Sequence, residues 1–196
     1  MKALVYTGTQ LSEIRDVELP IAGPGQVLVD LAFCGICGSD MHAWHGHDER
    51  RVPPLVLGHE AVGIVQSNNF ANNHANNPAS NLAGKRVAIN PLMTCGICDV
   101  CTSGDEHLCA KRELIGLQDN EAGLDTRRIT LQEIKFQGTY CYRKDDFAEA
   151  LALLTSGKIR GKGWAEIRPL DDGARSFIDI HEGKAPPKII LQTSEI

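Results

Sequence analysis

Four cysteines crowded into one short segment, Cys95, Cys98, Cys101 and Cys109, constrain this chain more than any other feature. Two residues separate each of the first three, so they can turn around one ion as a knuckle while Cys109 returns as the fourth thiolate. Four thiolates close a tetrahedron and leave no open position, which makes the implied zinc structural. Seven cysteines in all also admit a disulfide framework, but this crowding is more typical of metal binding than of a secreted scaffold. Cys34 and Cys141 stand apart as single apolar-flanked thiols and are expected in the core.

A second set of donors lies upstream. Cys37 offers a thiolate, His59 an imidazole and Glu60 a carboxylate, three donor types that suit zinc and leave one coordination position for water or substrate. Asp40 can accept the spare ring proton of His59 and so fix its tautomer. Ser39, a hydroxyl beside the metal, and His42, an imidazole three residues on, can relay a proton to solvent. Taken alone, a Cys and a His this far apart are better explained as an ordinary thiol and a satisfied core histidine, by roughly three to one, because most such pairs are not ligands.

The local sequence shifts that balance. Gly35-Ile36-Cys37-Gly38-Ser39-Asp40-Met41-His42 and Pro54-Leu55-Val56-Leu57-Gly58-His59-Glu60 resemble the zinc-containing medium-chain alcohol and polyol dehydrogenases. The resemblance implies that Cys37 and His59 bind a catalytic zinc. It assigns proton relay and supporting roles to Ser39, Asp40 and His42, and matches Glu60 to a glutamate that ligates or exchanges at the metal. The four-cysteine lobe belongs to the same pattern. The implied fold is α+β and mainly β: a GroES-like β-barrel catalytic domain with the zinc lobe and C-terminal helices.

The element pattern agrees with that expectation. Residues 2–7, 12–19 and 26–33 are short β-prone runs, punctuated by Pro20, Gly23, Pro24 and Gly25; 61–66 and 86–89 look like a strand pair, and many short strands suggest a barrel. Residues 39–44 suit a helical turn carrying the relay. Phe147, Ala150, Leu151 and Leu154 fall on one helical face, with Asp145 or Asp146 as the cap and Gly157 as the stop. Residues 129–139, 166–170 and 188–192 suit strands, and Asp171 is placed to cap a helix presenting Ala174, Phe177 and Ile178. Residues 67–78 form an asparagine-rich, low-complexity loop with little to bury. Trp44, His45 and His47 suit either a substrate cleft or simple packing, and the basic pairs Arg50-Arg51, Lys111-Arg112 and Arg127-Arg128 suit solvated surface.

At 196 residues and 42% hydrophobic, the expected organisation is one domain over 1–196. An N-terminal part, 1–117, contains the zinc lobe at 91–112; a junction at 118–128 leads to a C-terminal part, 129–196. The charge balance, 20 Lys and Arg against 25 Asp and Glu for a net −5, makes neither nucleic acid nor an anionic membrane an obvious partner. The opening Met-Lys-Ala-Leu-Val-Tyr lacks the apolar stretch and cleavage site of a leader, so a cytoplasmic protein is expected.

A full member of the resembled family continues from its zinc lobe into a doubly wound nucleotide-binding domain. That fold needs a Gly-x-Gly-x-x-Gly turn at a helix start to receive the pyrophosphate, and none occurs in the sequence. No NAD(P) is therefore expected, and the reading is a zinc-binding, dehydrogenase-like catalytic domain without turnover of its own. Two alternatives stand beside it. Zinc-bound water at Cys37, His59 and Glu60 can perform nicotinamide-independent hydrolysis, hydration or aldehyde polarisation, or the chain can be a dehydrogenase half served by a nucleotide domain in trans. A small alcohol, polyol or aldehyde is the expected ligand. Apolar surface on 129–139 and on the helix from Phe147 to Leu154 favours self-association as a dimer.

Overall fold

Runs rich in Val, Ile and Ala, broken by Gly and Pro, pair as antiparallel strands in the first of two units. The computed structural model describes residues 1–23, 26–66, 82–114 and 141–194, divided between residues 1–91 with 161–196 and residues 92–160. In the first unit β1 (Lys2–Gly8) pairs with β2 (Leu11–Asp16) and with the short β4 (Leu55–Val56), giving the order β2-β1-β4. The remaining strands are β3 (Val29–Gly35), β5 (Glu60–Val65), β6 (Arg86–Ala88), β9 (Ala165–Pro169) and β10 (Lys188–Gln192). They form a sheet in the order β6-β5-β3-β10-β9. β10 runs antiparallel to β3, with Ile190 opposite Gly35, and parallel to β9.

A parallel pair needs a crossover, and α4 (Gly173–His181) supplies it between β9 and β10. Its buried Phe177 meets the indole of Trp44 at 5.9 Å between ring centroids. Trp44 ends α1 (Gly38–Trp44). The core cluster of Leu4, Tyr6, Ile36, Met41, Trp44, Phe177, Ile189 and Leu191 thus joins β1 and α1 to segments that lie near the other end of the chain.

The second unit holds the two-stranded ladder of β7 (Leu92–Met93) and β8 (Glu113–Leu114), the single turn α2 (Asp99–Thr102) and α3 (Lys144–Thr155). Arg143 contacts Asp105 at 3.2 Å and Lys144 contacts Glu106 at 3.0 Å, tying the start of α3 to the lobe. Such solvent-facing pairs contribute little to stability, because water screens them.

The fold class is as expected, and among the described residues its strands form sheets of three, five and two strands. Several details need correction. The cap of α3 is Arg143, whose N–H donates to the Asp146 carboxylate at 2.8 Å; Asp146 therefore reaches back from the first turn instead of preceding the helix. Gly157 does lie just past the helix end, at φ 72°. Asp171 falls within a 3-10 turn, Leu170–Asp172, and α4 starts from Asp172. Ile178 is exposed while Ser176 is buried beside Phe177, because Ser176 satisfies itself by donating to the Asp172 carbonyl at 2.9 Å. Cys141 is exposed, not a core thiol. The loop at 67–78, the junction at 118–128 and the strand at 129–139 fall outside the described residues.

The burial pattern sets an energetic contrast. Phe177→Ala, at 2% exposure, is expected to lower unfolding free energy by about 3–5 kcal/mol. Ile21→Ala, at 92% exposure, should change it by no more than about 0.5 kcal/mol. Urea denaturation of both variants checks the ranking; equal losses would mean that the core is centred elsewhere.

Candidate metal centres

The lobe cysteines converge because the chain reverses tightly between them. Gly96 adopts φ 69°, a left-handed conformation that glycine takes without side-chain strain. Cys98 then caps α2, which delivers Cys101, and a 3-10 turn at Glu106–Leu108 returns Cys109. The sulfurs stand 3.5 Å apart for Cys98 and Cys101, 3.7 Å for Cys95 and Cys109, 3.8 Å for Cys95 and Cys101, and 3.9 Å for Cys98 and Cys109. Four sulfurs each ~2.3 Å from one zinc stand ~3.8 Å apart, whereas a disulfide needs ~2.05 Å.

The cysteines are free, and the cluster has the dimensions of a closed thiolate site. The backbone N–H groups of Ile97 and Cys98 pull the Cys95 thiol down to about 6. Burial and the neighbouring sulfurs push Cys101 up to about 11. Four adjacent thiolates need a cation to be charged together.

The second set is centred on Asp40. Cys37 caps α1, and the carboxylate of Asp40 accepts the Cys37 N–H at 2.9 Å. Its other oxygen lies 3.3 Å from His59 Nδ1. The opposite ring nitrogen, Nε2, is 3.3 Å from Ser39 Oγ, and the His59 ring adjoins the Cys37 side chain. Asp40 and Cys37, in that order, raise the His59 imidazole to about 10. His59 in turn lowers the Cys37 thiol. Cys34, nearby and half-buried, is driven the other way, chiefly by desolvation, to about 11.

Gly58 is needed where it stands: its φ is 127°, and an added Cβ would lie 2.8 Å from Cys34 Sγ. Glu60 turns elsewhere. Its carboxylate is 2.7 Å from Lys188 Nζ, which also donates to the Ile36 carbonyl at 3.1 Å. Among the described residues the four-cysteine cluster is the only gathered group of three or more His, Cys, Asp or Glu ligand atoms. Cys37 and His59 therefore adjoin, with Glu60 held apart on Lys188. His42 sits in the last turn of α1 with its ring 5.2 Å from that of His47.

Two contributors were not visible as such. Arg51, expected on the surface, is buried and bridges Asp40 at 3.3 Å and Asp48 at 3.5 Å. Its neighbour Arg50 is the solvent-facing member of that pair, 2.9 Å from Asp48. A basic doublet does not reveal which member turns inward; the nearest signal is the acid at Asp48. Lys188 lies 128 residues from Glu60 and carries no local signal. Trp44 is packed into the core rather than lining a cleft. A largely apolar cavity of about 630 Å³ lies behind the site, reached by Cys34, Asp40 and Gly58 but not by Cys37, Ser39 or His59.

Comparison with known proteins places these motifs in context. The family described as alcohol dehydrogenase GroES-like domain matches residues 23–142. The L-threonine 3-dehydrogenase of Streptomyces avermitilis is 39% identical over 135 residues, covering 67% of this chain and 37% of that protein. The starvation-sensing protein RspB of Escherichia coli is 31% identical over 117 residues, covering 60% and 33% respectively. The chain thus spans about a third of the length of these curated relatives. A thermostable alcohol dehydrogenase from Pyrobaculum aerophilum shares the fold, with a TM-score of 0.76 at 13% identity over 98% of this chain and 99% of that one.

The Asp40 contact makes a directional prediction for metal-free protein. With its pKa raised, His59 contributes stability in full below the ordinary imidazole value of 6.5 and loses it as pH rises through about 10. Asp40→Asn should move the His59 titration, followed by ring NMR, down toward 6.5. A variant still titrating near 10 would show that Asp40 is not the cause.

Proposed function

The chain belongs to the alcohol dehydrogenase family that carries a GroES-like domain, and from that premise we propose that it is a zinc-binding catalytic domain for a small alcohol, polyol or aldehyde. The observation that carries the reading is the joined set of Cys37, Ser39, Asp40 and His59 around the start of α1. Cys37 and His59 would hold zinc, with Glu60 as an exchangeable third donor once it leaves Lys188. Zinc in that position supplies Lewis-acid polarisation of a substrate oxygen. The four cysteines of the lobe would hold a second, structural zinc.

The chain's own residues supply orientation and proton handling. Asp40 engages the Nδ1 side of His59 and leaves Nε2 as the donor. Arg51 donates to the same Asp40 oxygen, Oδ1, at 3.3 Å and helps hold it in place. Ser39 Oγ, beside Nε2, is placed to take a proton from a substrate hydroxyl, and His42 lies three residues further along α1 to pass it outward. The sequence contains no Gly-x-Gly-x-x-Gly turn, so the proposal assigns hydride acceptance to something other than this chain.

The free thiols suit a reducing compartment, and the proposal places the protein in the cytoplasm. Among the described residues no helix is long and apolar enough to cross a membrane. Phe147, Leu151 and Leu154 are exposed together on α3, a surface suited to self-association.

Zinc analysis of protein purified without chelator tests the core of the reading. About two ions per chain should fall to about one in Cys37→Ala, with the lobe unaffected. One ion in both proteins would mean that Cys37 and His59 hold no metal. Saturable NADH binding by the chain alone would overturn the assignment of hydride acceptance elsewhere. Sedimentation should show a dimer that Leu151→Asp dissociates; a monomeric parent removes the self-association claim.

A further inference from the structure

Four histidines gather on the first unit where α1 and α4 end together. His45 caps the C-terminus of α1, and His181 is the last residue of α4. Their ring nitrogens, His45 Nε2 and His181 Nδ1, lie 3.0 Å apart. His47 stacks on His45 at 5.7 Å between centroids, and His42 meets His47 edge-on at 5.2 Å. Neither His45 nor His181 takes part in the Cys37 and His59 set; the two facing ring nitrogens share one hydrogen bond, and the His45 ring also meets the Met41 backbone.

We propose that His45 and His181 form a surface chelate for a borderline divalent transition metal ion, of the nickel or copper type. Three observations carry this. Two imidazole nitrogens each ~2.0–2.1 Å from one ion and at right angles about it, as in a square-planar or octahedral site, stand ~2.9 Å apart, close to the 3.0 Å at which the two rings hydrogen-bond to each other. Imidazole is the side chain best suited to these ions, and His47 is the nearest additional donor. Both ligands also sit at helix C-termini, where unsatisfied carbonyls concentrate partial negative charge and favour a cation.

The protonation balance points the same way. Burial and the neighbouring charges of His181, His47 and His42 lower the His45 pKa, so the ring favours the neutral form that a ligand requires. An ion there would pin the end of α1 to the end of α4. The Trp44 indole lies beside both ligands, 5.2 Å from the His45 ring and 5.7 Å from that of His181.

Trp44 also serves as the reporter. Trp164 is the second of the two tryptophans and is exposed, so Trp164→Phe leaves Trp44 alone. Zinc-loaded full chain with that substitution is titrated with nickel chloride, whose paramagnetic ion quenches a nearby indole. Zinc release is followed in parallel with a chromogenic chelator. The expected result is a saturable quench at one nickel per chain without zinc release. It should be lost in His45→Gln and lost again in His181→Gln, with the circular dichroism of each variant unchanged. A quench that persists in the double variant, or that tracks zinc release from the cysteine lobe, overturns the proposal. So does the absence of any saturable quench. Because the readout is nickel at Trp44, failure here leaves the zinc stoichiometry of the Cys37 variant untouched, and the reverse also holds.

Discussion

The pairing of β10 with β3 is the constraint on which the first unit depends. Ile190 lies opposite Gly35, and the Ile36 N–H donates to the Ile189 carbonyl at 3.0 Å. These contacts continue directly into the segment that leads to Cys37. Ile189 and Leu191, on the same strand, are among the most buried residues of the core. The strand therefore acts twice: it supplies apolar burial at ~25 cal/mol per Å² and fixes the backbone from which α1 starts. Lys188 extends the same connection to Glu60. A site built from residues 37–60 is thus shaped by a strand that comes far later in the chain.

Within that frame Asp40 organises the donors. A carboxylate only 1% exposed is costly unless its oxygens are matched. Here it faces a backbone N–H, the Arg51 guanidinium and the His59 ring. Removing any one partner leaves the buried charge less well compensated, which explains why Arg51 is drawn inward while Arg50 remains in solvent. The same arrangement leaves His59 Nε2 turned toward Ser39. The electrostatic cost of burying Asp40 and the orientation of the metal-binding nitrogen are one feature, not two.

The lobe follows different physics. Its cysteines lie close in sequence, and its geometry needs only a left-handed glycine, one helical turn and a 3-10 turn. Little buried apolar surface supports it, and α2 contains no buried residue. An ion at four thiolates would therefore contribute folding free energy directly, as in small zinc domains. The first unit, by contrast, holds together through its own aliphatic and aromatic core.

What could be learned from the amino-acid order alone was whatever has a local cause. The cysteine spacing, the Cys37 and Gly58-His59-Glu60 motifs, the strand pairing of 61–66 with 86–89 and the helix begun near Asp146 are each set within a few residues. Periodicity or ligand spacing makes the lobe, the strand pair and the helix legible, whereas Cys37 and His59 are legible only through the resemblance of the residues around them. Only the tertiary structure decided that Arg51 is buried, that Glu60 is held by Lys188 and that Ile178 faces solvent. It alone brought His45 to His181, from positions 136 residues apart. Those outcomes depend on which distant segment fills the space beside a side chain. Burial, charge compensation and strand order are properties of that neighbourhood, and no local pattern encodes them.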